Sequence, residues 1–483
     1  MSGRIDRREF LQMTAGGIAY FAGSSLFAAE ARPDGSPLVS PGCRRTKVKV
    51  ARLYMGIKGA HWPTPKLSFR DEMGVYDKEF AMLSGELADV EFAVDELVTS
   101  VEQAQQLKGR LQAVDGILVI HLSMGIGGML SEVLSVGKPT ALFALPYSGH
   151  EWTSFGGLQK QPGAKLECFL TSDYSQLAVA IRPFRAIHHL REAKVLNLTT
   201  RSFNDTADQM KKKFGTEIKQ IDLDTVVKAY NAVDDKVAEA ETERWIKGAE
   251  AIVEPSRKEV ANACRLALAF EDILAEEDAT VLTIDCYGTM WDKTIKLPAY
   301  PCTGICRLND LGLGGICESD LRCAMTHIIL QGLTGRPGFI SDPTVDESKN
   351  SIILAHCLGS TKMDGPNGPS APYKFRTIME RQEGVVPQVQ MRIGQKVTQA
   401  ILIGTDSLQY FTGEIIGAPV KVEDDRGCRT KIDVRVDGDV TVLWKNWSNG
   451  LHRQTVYGDV TKDLQRFCRY EQIKLIDEAA QQA

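Results

Sequence analysis

Short, mainly apolar runs recur through the first half of the chain, separated by longer stretches of helical character. Val48–Ile57 opens with β-branched residues and reads as a strand, Thr99–Leu111 as a polar helix, and Asp115–His121 (Asp-Gly-Ile-Leu-Val-Ile-His) as a continuous apolar strand. A helix over Gly128–Val136 and a strand over Thr140–Leu145 continue the alternation. Strands without a polar face must be covered on both sides, which is the situation of a parallel sheet flanked by helices. The pattern predicts a doubly wound α/β domain over 47–190. Lys194–Leu198 begins a second alternation, with helices over Leu223–Ala240 and Ser256–Ala275, a strand over Thr280–Cys286 and a helix over Cys317–Leu333. It predicts a second α/β domain over 191–341. Beyond it the period shortens: Ile432–Val436, Asp439–Lys445 and Arg453–Val456 alternate in short runs separated by Asp-Gly and Asn-Gly turns. A C-terminal antiparallel β-barrel-like domain over 342–483 is expected. The length of 483 residues, at about 150 per domain, agrees with three such units.

Composition narrows the function. Hydrophobic residues at 43%, charged residues at 25% and a net charge of −5 exclude a disordered chain and a strongly basic one. Nucleic acid is therefore not an expected partner, because phosphate binding needs a concentrated basic surface. Near the start, Asp6-Arg7-Arg8-Glu9-Phe10-Leu11 precedes a Gly/Ala/Ser-rich apolar stretch to Ala29, and Ala29-Glu30-Ala31 has small-x-small spacing. This resembles a twin-arginine export signal over 1–31, followed by a linker over 32–46. It implies passage through the twin-arginine translocase to a periplasmic or extracytoplasmic location. No later run approaches the length of a bilayer span, so no stable membrane span is expected after signal cleavage. The eleven cysteines are odd in number and irregular in spacing, unlike a disulfide framework. Cys302 and Cys306 read either as a redox or metal pair or as buried free thiols, the second reading being preferred.

Three segments carry candidate chemistry. Gly125-Ile-Gly127-Gly128 sits between strand and helix but has Leu130 at the sixth position of a dinucleotide fingerprint, so it reads as a tight turn. In Gly314-Gly-Ile-Cys-Glu318-Ser-Asp320-Leu-Arg322 the apolar positions Leu321, Ala324, Met325, Ile328, Ile329 and Leu333 mark one buried helical face, closed by Gly335 and Pro337. This places Glu318 in the first helical turn, either as a simple dipole partner or as a cation ligand held charged by the backbone amides. Gly338-Phe-Ile-Ser-Asp342 reads as a strand ending in a second carboxylate, which a helix out and a strand back would return to the same sheet edge. Gly450-Leu-His452-Arg-Gln-Thr-Val-Tyr457-Gly-Asp459 offers a histidine on a loop entering a strand; taken alone, it reads equally as a ligand or as a satisfied structural histidine.

Together, Cys-Glu318-x-Asp320, Leu-Thr-Gly-Arg-Pro-Gly-Phe-Ile-Ser-Asp342 and His452 ahead of Tyr457-Gly-Asp459 resemble the L-fucose isomerase family of metal-dependent aldose–ketose isomerases. The likeness extends to the order of parts, two α/β domains and then a β-rich one. It implies that Glu318, Asp342 and His452 are metal ligands and that Glu318 and Asp342 are the acid/base pair. It further implies a homo-oligomer with a small sugar as substrate. The donor set suits a hard cation, with Mn²⁺ expected and Mg²⁺ or Co²⁺ as alternatives. Such an ion polarises a sugar carbonyl, and a carboxylate can carry a proton between C1 and C2 through a cis-enediol. His356 reads as a fourth ligand, since the related arabinose isomerases use two histidines, or as a hydrogen-bonded strand residue. Trp152, Trp444 and Trp447 read as sugar-stacking platforms or as core. An export signal departs from the cytoplasmic habit of the family and opens two alternatives: an exported non-catalytic carbohydrate-binding protein, and an epimerase or lyase using the same site.

Overall fold

The computed structural model describes residues 46–291, 296–418, 426–448 and 450–480. The expected export signal and, except for Thr46, the linker lie outside the described residues. Strands β1 (Val48–Met55), β2 (Val90–Val98), β3 (Gly116–His121), β4 (Thr140–Ala144) and β5 (Leu166–Leu170) form one sheet in the order β2-β1-β3-β4-β5, every pair parallel. β3 and β4 are buried at every position, as their unbroken apolar sequences require. Separate apolar clusters fill the two faces, one around Tyr76, Phe143 and Phe184, the other around Leu53, Val119 and Leu142.

β6 (Lys194–Leu198) and β7 (Glu217–Ile221) begin a second sheet. β8 (Ala251–Ile252) lies elsewhere, and β9 (Val281–Ile284) and β10 (Gly314–Cys317) complete the sheet as β10-β9-β6-β7, again all parallel. The strand order reverses between β6 and β9, which opens a crevice at their carboxyl ends. The single helix expected over Leu223–Ala240 is two, Leu223–Ala232 and Asp235–Gly248, because Asp234 leaves helical geometry and its carboxylate accepts the amides of Lys236 and Val237. The helix expected from Cys317 starts instead at Leu321; Gly314–Cys317 is β10, and Asp320 is the N-cap.

The rest of the chain supplies β11 (Phe339–Asp346), β12 (Ser351–His356), β13 (Tyr373–Arg376), β14 (Val386–Val389), β15 (Lys396–Ile403), β16 (Ser407–Gly417), β17 (Thr430–Val436), β18 (Arg453–Tyr457) and β19 (Lys474–Asp477). Antiparallel pairs run β15-β18-β11-β12-β17-β16, and β16 pairs back to β15, so six strands close into a barrel. Phe339, Ile352, Leu354, Phe411, Ile415 and Val434 belong to its apolar core. β19 adds in parallel to β16, and β13 and β14 form a small sheet with β8. The architecture is mixed α/β: two parallel sheets flanked by helices, and a separate antiparallel-rich sheet. The run Asp439–Lys445 is a correction, being the helix Val440–Asn446 rather than a strand. Asp439 caps it by accepting the amide of Thr441, and Val440 and Leu443, one helical turn apart, bury against the barrel. Among the described residues no helix is long and apolar enough to cross a membrane.

Candidate active site

The carboxyl edge of the second sheet meets one end of the barrel. Thr199 follows β6, Asp285 follows β9 and Glu318 follows β10. From the barrel, Asp342 lies on β11, His356 ends β12 and His452 immediately precedes β18. The register gathers these last three: Ser341 faces Arg453 across β11–β18, and Asp342 faces Ala355 across β11–β12. Asp342 is thus flanked by both histidines.

Glu318 reaches them through an unusual backbone. It has φ of 63° and Ser319 has φ of 57°, a left-handed pair that costs each non-glycine residue of order 1–3 kcal/mol. The turn is held by the Ser319 amide donating to the Ile284 carbonyl (2.9 Å) and the Ser319 hydroxyl donating to Asn197 Oδ1 (2.6 Å). This corrects the reading of Glu318 as a first-turn dipole partner, because Glu318 precedes the cap. Asp320 occupies the helix N-terminus instead. Its Oδ1 accepts the Cys323 amide at 3.0 Å, while Oδ2 lies 3.2 Å from His452 Nδ1.

The other face of His452 meets the remaining carboxylates. Its Nε2 stands 3.4 Å from Glu318 Oε2 and 3.2 Å from Asp342 Oδ1. His356 Nε2 is 3.6 Å from Glu318 Oε1, and the two imidazole rings are 5.6 Å apart at 66°. Glu318, His356 and His452 each offer a ligand atom within 4.8 Å of the others. Asp342 Oδ1 and His452 Nε2 are buried without an aligned hydrogen-bond partner among the described residues. Burial opposes a charge on His452, but Asp320, Asp342 and Glu318 overcome it and raise its pKa to about 10. Burial likewise opposes charge on Asp342, yet His452 and His356 hold its carboxyl below the usual range. Three carboxylates therefore converge on His452, with Arg322 beside one of them, and the unpartnered Asp342 Oδ1 and His452 Nε2 face one spot. Two imidazoles and the Glu318 carboxylate fit a divalent cation there, with Asp342 adjoining through His452.

A cleft of about 560 Å³ opens onto this cluster, lined by Thr199, Arg201, Tyr287, Glu318, Arg322 and His452 among others; it falls within the ~300–1,000 Å³ of small-molecule sites. Arg201 pairs with Asp285 (2.9 Å) and donates to the Glu318 carbonyl (3.4 Å), and Arg322 lies 3.8 Å from Asp320. Sequence reasoning assigned no role to Asp285, Arg201, Arg322 or Tyr287. Only Asp285 carried a signal, a carboxylate directly after an apolar strand, as at Asp342. None of Trp152, Trp444 and Trp447 lines the cleft. Trp444 donates to Glu347 (2.7 Å), and Trp447 stacks 4.2 Å from the Arg453 guanidinium. At the glycine cluster, Gly125 has φ of 95° and the Ile126 amide donates to Glu151 Oε2 at 3.3 Å. The half-buried Glu151 carboxylate therefore takes the amide that a phosphate would need.

No protein-family model matches the chain. It is similar to a sulfoquinovose isomerase of Alkalicoccus urumqiensis, 24% identical over 324 residues, covering 61% of this chain and 67% of the relative. It is also similar to a sulfoquinovose isomerase of Clostridium sp. (strain MSTE9), 27% identical over 219 residues, covering 41% of this chain and 44% of the relative. These similarities support a sugar isomerase of the aldose–ketose kind.

Proposed function

We propose that this chain is a metal-dependent aldose–ketose isomerase in which Glu318, Asp342 and His452 hold Mn²⁺, with Mg²⁺ or Co²⁺ as substitutes and His356 as a fourth donor. The observation that carries this reading is the approach of His452 Nε2 to both Glu318 (3.4 Å) and Asp342 (3.2 Å). A bound divalent cation supplies Lewis acidity toward a sugar carbonyl. Glu318 and Asp342 then share the proton transfers. One carboxylate takes the proton from C2 of the open-chain aldose, and the freed electron pair becomes the C1–C2 double bond of a cis-enediol as the carbonyl oxygen gains a proton. Removal of the O2 proton and return of the carbon-bound proton to C1 gives the ketose, with no net gain or loss of atoms or electrons. Asp320, by accepting from Nδ1, keeps Nε2 of His452 directed at the two carboxylates.

The substrate is a sugar or a sugar derivative. Arg201 and Arg322 on the cleft favour a derivative with an anionic substituent, in keeping with the sulfoquinovose named for both relatives. Twin-arginine export to the periplasm and assembly as a homo-oligomer belong to the same reading.

Elemental analysis together with exchange of the C2 proton into deuterated water tests it. Wild type should carry Mn²⁺ and exchange the C2 proton of its sugar. His452→Ala should lose the metal, and Glu318→Gln should lose exchange while keeping its fold. A protein without metal after Mn²⁺ supply, and without exchange on neutral or anionic aldoses, would overturn it.

A further inference from the structure

A second group of ligating side chains lies outside the carboxylate–histidine cluster. Cys357 directly follows His356 at the end of β12, Cys428 lies two residues before β17, and Glu380 is on the turn after β13. β12 and β17 are antiparallel with His356 facing Thr430, so the ladder delivers the residues just past its paired end, Cys357 and Cys428, to the same place. Both sulfurs and a Glu380 oxygen lie within 4.8 Å of one another, and Cys428 Sγ is 3.3 Å from Glu380 Oε1. Both cysteines are half-buried and Glu380 is exposed, so the group is reachable from solvent.

We propose that Cys357, Cys428 and Glu380 form a second, thiolate-rich metal site that takes Zn²⁺ or a comparably soft divalent cation. Thiolate ligands about 2.3 Å from Zn²⁺ stand about 3.7 Å apart in a tetrahedron, a spacing these three side chains already approach. Binding breaks two S–H bonds, forms two S–metal bonds and releases two protons to solvent. Two sulfurs and one carboxylate leave the fourth tetrahedral position to water. The ligand types separate the two sites chemically: the thiolates select a soft ion, whereas the carboxylate–imidazole cluster suits Mn²⁺ or Mg²⁺. An ion at the thiol site would tie β12 to the segment entering β17, and β12 carries His356. The second metal thus braces a side chain of the first.

Co²⁺ reports on this directly, since only thiolate coordination produces an intense near-ultraviolet charge-transfer band. The reduced, full-length protein titrated with Co²⁺ should develop that band and bind about two ions per chain, one at each type of donor set. The double variant Cys357→Ser/Cys428→Ser should lose the band and bind about one ion, while His452→Ala should keep the band. Glu380→Gln, an exposed change that does not threaten folding, should weaken the Zn²⁺ competition that erases the band. Absence of the band in wild type, or its persistence in the double variant, would overturn the site. So would recovery of Cys357 and Cys428 as a disulfide from protein purified with Zn²⁺ present, which would make them a redox pair instead.

Discussion

Asp320 Oδ2 lies 3.2 Å from His452 Nδ1 while Oδ1 of the same carboxylate caps the helix Leu321–Thr334 through the Cys323 amide. One side chain therefore joins the start of a helix in the second sheet domain to the loop that enters β18. Asparagine caps helices about as well as aspartate, so Asp320→Asn separates the two duties. The variant should melt near the wild-type temperature, and its Mn²⁺ affinity should fall about 10–100-fold, as when a residue that orients a metal-bound histidine is removed. Isothermal titration with Mn²⁺ measures it. Unchanged affinity would show that Asp320 does not orient His452.

Glu318 sits at φ of 63°, where glycine is at ease and glutamate is strained. Glu318→Gly should therefore raise stability by about 1 kcal/mol, the relief of a left-handed residue less the added chain entropy of glycine. The same change should abolish sugar turnover. Denaturant unfolding and a turnover assay on one preparation check both halves, and a less stable variant would contradict the strain argument.

Acid should destabilise the protein through two histidines remote in role from the cluster. Burial lowers the pKa of His189 to about 3 and that of His327 to about 4. Both are neutral in the folded chain and bind a proton on unfolding below about pH 6.5. Their contribution is fully present above that pH and is lost as the pH falls toward 4, by about 1.4 kcal/mol per pH unit for each group. Thermal unfolding of Mn²⁺-loaded protein between pH 7 and pH 5 should show it, and His189→Met should flatten the slope by about one proton.

Arg453 is fully buried beside His452, with its guanidinium donating to Glu478 (3.1 Å) and to the Ser448 carbonyl (2.9 Å). Arg453→Met leaves Glu478 buried without its cation, which should cost about 3–5 kcal/mol. The doubly changed Arg453→Met/Glu478→Leu should recover much of that loss. Chemical denaturation of both variants checks this, and equal stability of the two would show that Glu478 does not depend on Arg453.

Much of the architecture was legible in local pattern. β3 and β4 are apolar at positions that are all buried, so the chain there announces a sheet covered on both faces without reference to distant residues. Ser256 with Glu259 three residues on likewise marks the start of the helix Arg257–Glu276 by a capping box that forms within one turn. Pattern failed at Asp439–Lys445, where alternating residues became a helix because capping by Asp439 and burial of Val440 and Leu443 outweighed a short period-two signal.

In the candidate site, the residue types and their order along the chain are properties of the sequence, as is the apolar face of the helix behind Glu318. Their meeting is not. His356 comes beside Asp342 only through the β11–β12 register, Asp320 turns toward His452 only once the barrel end packs against the second sheet, and Glu318 leaves the helix only because Ser319 is tied to Ile284 and Asn197. These are contacts between segments far apart along the chain, 132 residues for Asp320–His452 and 122 for Ser319–Asn197, or choices between backbone states differing by about 1–3 kcal/mol. Local propensity sets neither. Side-chain identity supplied the chemistry, and the closure of the six-stranded barrel on the carboxyl edge of a parallel sheet decided which side chains could act together.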